Sequence, residues 1–333
     1  MDKGAFIMSF DIIRQDITRL KVDAIVNASN TKLIMGGGAS GAISRTAGEK
    51  DLQSACDALA PISIGQAVIT SGFNLPAKYI IHVAAPIYGE GKGDDESRLL
   101  STAYKSSLEL AQKYSIESIA FPLISSGVFG YPKEEALEIT VATIKEFLKE
   151  NEMKVSLVVY DKSTYKVSEK LIRPVESYID DKYIDKLRET RRNLVIKDRA
   201  LIYEEQVYPF KKQDLKIDEK LKKPFSQMLL ELIDKKNKTD VEVYKKANID
   251  RKLFSKIRAG KGYLPSKKTI LALAIGMELS LKETDELLER AGYSLSHAFK
   301  FDVIVEYFII NERYDIFEIN QVLFEYDEPL LGN

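Results

Sequence analysis

Between Val26 and Ile43 the chain reads VNASNTKLIMGGGASGAI, an apolar run that ends in two amide side chains and leads through three consecutive glycines into a helical pattern. Glycine adds nothing to a core and loses more backbone entropy on folding than any other residue. Three in a row mark a place where something must approach the backbone closely. A glycine-rich turn that opens a helix is an anion cradle, because bare N–H groups and the positive end of the helix dipole face the same point. No Lys-Ser or Lys-Thr pair follows, which argues against a Walker loop, and GGGASG lacks the glycine spacing and downstream acid of a Rossmann turn. A second loop of this kind, SSGVFGYP from Ser125 to Pro132, also lies between an apolar run and a helical one. Two such loops at one sheet edge would grip two linked phosphates, so a diphosphate is the expected guest.

Other chemistries have less to stand on. The chain has one cysteine, Cys56, and two histidines, His82 and His297. A single thiol closes no intrachain disulfide, and so few soft ligands argue against zinc. Cys56, within LQSACDALAP, reads as a small buried residue rather than a nucleophile. The formal net charge of −1 over 333 residues names no partner, and an apolar fraction of 45% is ample for a core. The length fits about two domains. The amino-terminal apolar run is short for a signal peptide, and no stretch reaches the ~20 apolar residues of a membrane span. The expectation is a cytoplasmic protein with no membrane partner, no metal and no required cofactor.

The elements that must position the two loops follow from hydrophobic period. Up to about residue 178, short β-branched runs (FIMSFDII, DAIVNA, QAVITSG, YIIHVAAP, SIAFPLI, KVSLVVYD) alternate with helical ones (SGAISRTAGEKDLQSACDAL, ESRLLSTAYKSSLELAQKY, PKEEALEITVATIKEFLKE). Near-continuous apolar strands separated by amphipathic helices predict a three-layer α/β domain with a mostly parallel sheet. Ligands of such sheets bind at the carboxyl ends of the strands, which points to Asn27 to Gly38, Ser125 to Gly130, and Tyr160 with Asp161. Residues 179–223 are highly charged and read as a helical linker. Residues 224–333 read as a second, all-helical domain, with Asp, Ser, Gly and Pro punctuating short helices.

Taken together, QDIT (15–18), DAIVNASN (23–30), GGGASGAI (36–43), LPAKYIIHVAAP (75–86), SIAFPLISSGVFGYP (118–132) and LVVYDKS (157–163) resemble the macrodomain, a module that binds ADP-ribose. The likeness covers roughly the first 175 residues. It implies that the ligand is ADP-ribose or an ADP-ribosylated macromolecule. It implies that the Asp16 carboxylate accepts from the adenine amino group, that the Ile17 N–H meets the purine, and that Tyr160 stacks on adenine. Gly37, Gly38, Ala39, Ser40 and Gly41, with Ser126, Gly127, Val128 and Gly130, would line the diphosphate and distal ribose. Phe129 would close over that ribose and Asn30 would hydrogen-bond its hydroxyls. These residue types suit the roles, since a carboxylate is acceptor-only and an amide can both donate and accept. The plain structural alternatives are a turn or cap for Asp16, a core aromatic for Tyr160, and a strand-end residue satisfying loop backbone for Asn27; for Asn27 and for His82 the structural role is our reading.

Many macrodomains also remove mono-ADP-ribose from targets or deacetylate O-acetyl-ADP-ribose. In one hydrolase subgroup an aspartate stands where this chain has Ser40, and a histidine where it has Ser44. A serine hydroxyl is no carboxylate base. Turnover here would rest on water positioned by substrate phosphate, with Asn30 as the candidate catalytic residue. The alternative is a non-catalytic sensor of an ADP-ribose-like nucleotide. Gln15 also replaces the usual glycine before Asp16.

The run DVEVYKKANIDRKLFSKIRAGKGYLPSKKTILALAIGMELSLKETDELL resembles a phage-repressor helix-turn-helix, a fusion known among bacterial macrodomain-containing proteins. Between Lys235 and Lys268 there are twelve basic and three acidic residues, a net of +9. Such a run suits a phosphate backbone. Arg251, Lys252, Ser255 and Lys256 are the residues a recognition helix would present to DNA or RNA, although the same fold can serve protein contact. The acidic, apolar carboxyl-terminal stretch is expected to pack as two further helices or to dock a partner.

Overall fold

In the computed structural model the described residues are 9–90, 94–160, 167, 169–182, 224–260 and 263–332. Asp161, Lys261 and most of the expected linker lie outside them. All the apolar runs become strands: β1 (Ser9–Arg14), β2 (Ala24–Ser29), β3 (Ala67–Ser71), β4 (Tyr79–Ala84), β5 (Ser118–Pro122) and β6 (Lys154–Val159). They form one sheet in the order β1-β6-β5-β2-β4-β3. Every pairing is parallel except that of β3 with β4.

Side chains alternate across the pleat, so β2 sends Ala24 and Val26 to one face and Ile25 to the other. The first face packs on α3 (Asp94–Lys113) and α4 (Lys133–Glu150), through Leu100, Tyr104, Leu108, Leu137 and Ile144. The second packs on α1 (Gly38–Ala47) and α2 (Glu49–Asp57), through Ile43, Ala47, Leu52 and Cys56. The sequence suggested a single helix from Ser40 to Leu59. Gly48, at φ 108, breaks it in two because that backbone is closed to other residues. At the amino-terminal edge of the sheet Asp23 fastens three strands: its carboxylate accepts from Ser118 N (3.1 Å), Ser118 Oγ (2.8 Å) and Lys78 Nζ (2.8 Å).

Asn27 and His82 face each other across β2 and β4, fully buried. Asn27 Nδ2 donates to His82 Nδ1 (3.1 Å), and His82 Nε2 lies 2.9 Å from Thr70 Oγ1, which itself donates to Ser71 O. That chain places the proton on Nε2. Burial pushes the imidazole down to about 4. Cys56 Sγ, 3.8 Å from His82 Nε2, has its thiol pushed up to about 11 by burial first and Asp57 second. The thiol is therefore a protonated core group.

A helix over residues 169–182, α5, crosses the expected domain boundary. Seven helices follow among the described residues: α6 (Phe225–Lys235), α7 (Asp240–Lys246), α8 (Arg251–Ala259), α9 (Lys267–Met277), α10 (Leu281–Glu289), α11 (Lys300–Ile310) and α12 (Ile316–Glu325). Their starts are written in the sequence. Thr239 and Ser280 close capping boxes with Glu242 and Glu283, and Asp250 and Ser266 cap α8 and α9. At Gly276 a side chain would sit 2.8 Å from Val243 O, so glycine lets α7 and α9 meet.

The helical half closes the exposed edge of the sheet. Asn248, in the turn between α7 and α8, treats Phe10 as a strand would. Its Oδ1 accepts from Phe10 N (2.9 Å) and its Nδ2 donates to Phe10 O (3.1 Å). Asn248 is 2% exposed. Beside it Phe317 of α12 packs on Phe10 with ring centroids 5.4 Å apart, and Asp315 pairs with Lys145 of α4. Farther along, Tyr178 of α5 donates to Glu306 of α11 (2.6 Å) and Arg14 lies 3.6 Å from Asp327. One apolar cluster consequently runs through both halves. No helix among the described residues is long and apolar enough to cross a membrane.

Two outcomes follow. Asn248→Gly keeps the left-handed backbone at this position (φ 52) but removes the amide, stranding two buried polar groups. It should cost about 2 kcal/mol or more in urea denaturation, and an unchanged midpoint would refute the clamp. The second concerns acid. His82 is neutral in the fold down to about 4, whereas the unfolded chain protonates it at 6.5. Stability is therefore full above pH 6.5 and falls as pH drops from 6.5 toward 4, by up to about 3 kcal/mol. Denaturation curves of His82→Gln should lack that slope.

Candidate functional site

The first four strands in sheet order, β1, β6, β5 and β2, all end at the same edge, and each exit carries one group of predicted residues. At the spacing of ~4.8 Å between strands, the row is about 14 Å long.

At the β1 exit Asp16 caps a 3-10 turn over Ile17–Arg19. Its Oδ1 accepts from Thr18 N (3.0 Å) and Thr18 Oγ1 (2.7 Å), while Oδ2 has Arg19 at 3.8 Å. Capping and ligand recognition are thus compatible, because the cap uses Oδ1 alone and Oδ2 accepts no hydrogen bond among the described residues. The Thr18 hydroxyl, opposed by partial desolvation and aided by the Thr18 N–H and Arg19, holds the carboxyl below its ordinary 3.8. Ile17 is the first residue of that turn, so its N–H has no intrahelical acceptor. Next in the row, at the β6 exit, Tyr160 is 74% exposed, which rules out a core role.

The β5 exit is braced from below. The buried Tyr104 hydroxyl accepts from Ile124 N (2.9 Å) and donates to Pro122 O (3.3 Å), and Ser125 Oγ donates to Pro86 O (2.7 Å). The loop then closes on itself through Tyr131 N to Ser125 O (2.9 Å) and Gly130 N to Gly127 O (3.0 Å), with Ser125 and Gly130 both at positive φ. The N–H groups of Gly127, Val128 and Phe129 have no acceptor among the described residues. Val128 is 89% exposed, whereas Phe129 is half-buried against the core and accepts from Tyr88 N (2.9 Å). Ser126 Oγ donates to Leu123 O (2.8 Å).

The β2 exit contains the three glycines, and they differ. Side chains at Gly36, Gly37 or Gly38 would meet nothing within 4 Å, though Gly38 at φ 59 favours glycine on backbone grounds. The space beside them is open. Gly41 is the reverse: it is buried, and a side chain there would lie 2.6 Å from Gly36 O. Gly41 lets the loop fold onto α1, and Gly37 and Gly38 are what the loop presents. No side chain caps α1, so the N–H groups of Gly38, Ala39 and Ser40 point outward at its positive end. Ser40 Oγ accepts from Gly36 N (3.4 Å) and contacts Met35 Sδ (3.8 Å).

Asn30 does more for the loop than its sequence position suggests. Its Oδ1 accepts from Lys32 N (3.0 Å) and Ile34 N (3.3 Å), and its Nδ2 donates to Ile34 O (2.9 Å). Both oxygen lone pairs are committed and one N–H is left, so toward a ribose this amide is a donor only. The loop also holds Leu33 at φ 54, fully buried, a conformation that costs about 1–3 kcal/mol for a residue with a Cβ. From the other side Gln53 of α2 accepts from Met35 N (3.2 Å) and donates to Leu33 O (3.3 Å). Tyr104 and Gln53 were not singled out from sequence, because nothing local marks a residue whose partner lies 18 or more positions away.

On the helical half Arg251, Lys252, Ser255 and Lys256 are all exposed on α8, with Lys256 Nζ 4.1 Å from the Tyr263 ring centre. The count of +9 overstates the charge. Lys235 and Lys236 pair with Glu283, Lys238 and Lys246 with Glu278, and Lys267 with Asp302, all carboxylates beyond the counted run, while Arg258 pairs with Asp240 inside it. Among the described residues, uncompensated charge concentrates on α8.

The Macro domain family model matches residues 26–140. A macro domain-containing protein of Methanosarcina mazei is 48% identical over 167 residues, which cover 49% of this chain and 88% of that protein. The ADP-ribose glycohydrolase MACROD2 of Xenopus laevis is 44% identical over 158 residues, 47% of this chain and 38% of that protein. Among solved structures, an Oceanobacillus iheyensis macrodomain with ADP is 38% identical, covers 50% of this chain and 90% of that one, and has a TM-score of 0.46. Through its amino-terminal half, this chain belongs to the macrodomain family.

Proposed function

We propose that the amino-terminal half binds ADP-ribose, free or attached to a macromolecule, along the row of strand exits. Asp16, Ile17 and Tyr160 take adenine, the N–H groups of Gly127 to Phe129 and of the α1 start take the diphosphate, and the Asn30–Gly41 loop takes the distal ribose. The observation that carries this reading is the alignment of unpaired N–H groups on two neighbouring strand exits, β5 and β2, in a chain whose relatives include proteins named ADP-ribose glycohydrolases.

Removal of mono-ADP-ribose at this site proceeds without a base at position 40. The Ser40 hydroxyl is already engaged with Gly36 N and Met35 Sδ and cannot act as a carboxylate would. What the chain supplies is position: a phosphate cradle beside the one remaining Asn30 donor. The same residue favours a second reading, a non-catalytic sensor of ADP-ribose whose occupancy is relayed by the helical half. For that half, the exposed cluster of Arg251, Lys252 and Lys256 on α8 supports contact with nucleic acid in the manner of a helix-turn-helix.

Calorimetry should show saturable ADP-ribose binding that Asp16→Ala weakens by about tenfold, the scale of one lost hydrogen bond to a charged group. No binding at millimolar ligand contradicts the reading. Because the native carboxyl titrates below 3.8, the contribution of Asp16 is fully present above that value and is lost only as pH falls through the lowered one. With a mono-ADP-ribosylated protein as substrate, Asn30-dependent release that Ser40→Asp accelerates supports turnover, whereas binding with no release supports the sensor. The full chain should shift duplex DNA at low salt, with affinity falling steeply as salt rises and Lys252→Glu with Lys256→Glu abolishing the shift. A chain that ignores DNA and RNA at low ionic strength assigns α8 to protein contact.

A further inference from the structure

We infer that Gln53, on α2 and outside the ligand row, is the positioning residue that sets the distal-ribose half of the site; this rests on the ADP-ribose reading above. The Asn30–Gly36 segment is pinned from two sides. On one side the Asn30 amide binds Lys32 N, Ile34 N and Ile34 O. On the other the Gln53 amide bridges two residues of the same loop, accepting from Met35 N and donating to Leu33 O, and it is itself oriented by Asp57 Oδ1 at 2.8 Å.

The two bonds of Gln53 bracket Ile34, between the residue that is hardest to hold and the glycines. Leu33 is left-handed at φ 54 with its side chain fully buried, and Met35 is the last residue before the glycines. With Leu33 O and Met35 N both fixed, the peptide planes on either side of Ile34 have their direction set, and the chain reaches Gly36 from a fixed course. Gly36 and Gly37 have no side chain with which to set that course, and a Cβ at either would meet nothing within 4 Å. An amide serves all three bonds at once, with its oxygen accepting from Met35 N and its two N–H groups donating to Leu33 O and Asp57. A glutamate would keep the acceptor for Met35 N, lose the donor for Leu33 O and face Asp57 with a like charge.

The adenine end lies at the other end of the row, on β1 and β6. A local role for Gln53 therefore separates ligands that have the distal ribose from those that lack it. The test compares ADP-ribose and ADP by calorimetry on the full chain carrying Gln53→Leu or Gln53→Glu, with Asp16→Ala as the adenine-end control. Gln53→Leu should lose about tenfold on ADP-ribose and less than about twofold on ADP, Gln53→Glu should fall between, and Asp16→Ala should weaken both ligands alike. Equal losses on both ligands, or none, in a folded Gln53 variant overturn the inference and leave the ADP-ribose reading standing. Failure of the unmodified chain to bind either ligand overturns the reading and the inference together.

Discussion

Parallel pairing of β1, β6, β5 and β2 is the constraint on which the rest depends. Parallel strands deliver all their carboxyl ends to one edge, so four loops from distant parts of the sequence leave side by side without any loop having to reach. The opposite edge takes the strain of registration: Asp23 binds the start of β5 and Lys78 just before β4. With registration settled there, the ligand edge can hold its donors unpaired. Backbone N–H groups that would cost free energy if buried are kept at the surface, at the start of α1 and in the Gly127–Phe129 segment, where an anion can satisfy them.

The same logic explains the helical half. A sheet with β1 at its border offers a row of open backbone groups, a liability in any protein. Here the cover comes from 238 residues away, as the Asn248 amide occupies the place of a neighbouring strand at Phe10 and α12 lies beside it. The acidic, aromatic carboxyl-terminal stretch thus has a partner within its own chain. Because β1 runs directly into Asp16, the strand that borders the helical half is also the one that carries the proposed adenine end of the site.

Much of this was legible in the sequence, and the boundary between what was and was not is physical. Strand and helix identities are local, set by hydrophobic period and by caps such as Thr239, Asp250 and Ser280, and apart from the break at Gly48 they appear in the structure where the periods place them. The two glycine loops were legible because an anion cradle has its own grammar. What each glycine does was not. Gly36 to Gly38 and Gly41 read alike as letters, yet a side chain would find open space at the first three and Gly36 O at the last. Asn30 was legible as a polar residue at a strand end, but its commitment to Lys32 and Ile34 depends on how the loop turns. Charge was the least readable: a run of lysines looks exposed until Glu278, Glu283 and Asp302 fold back onto it.

The central claim is that unpaired N–H groups on neighbouring strand exits hold one extended ligand. Amide hydrogen exchange with and without saturating ADP-ribose tests it most directly. Exchange should slow together at Ile17, at Gly38 to Ser40 and at Gly127 to Phe129, on three separate loops. Binding that leaves these amides exchanging as before, or that protects only the helical half, would contradict it.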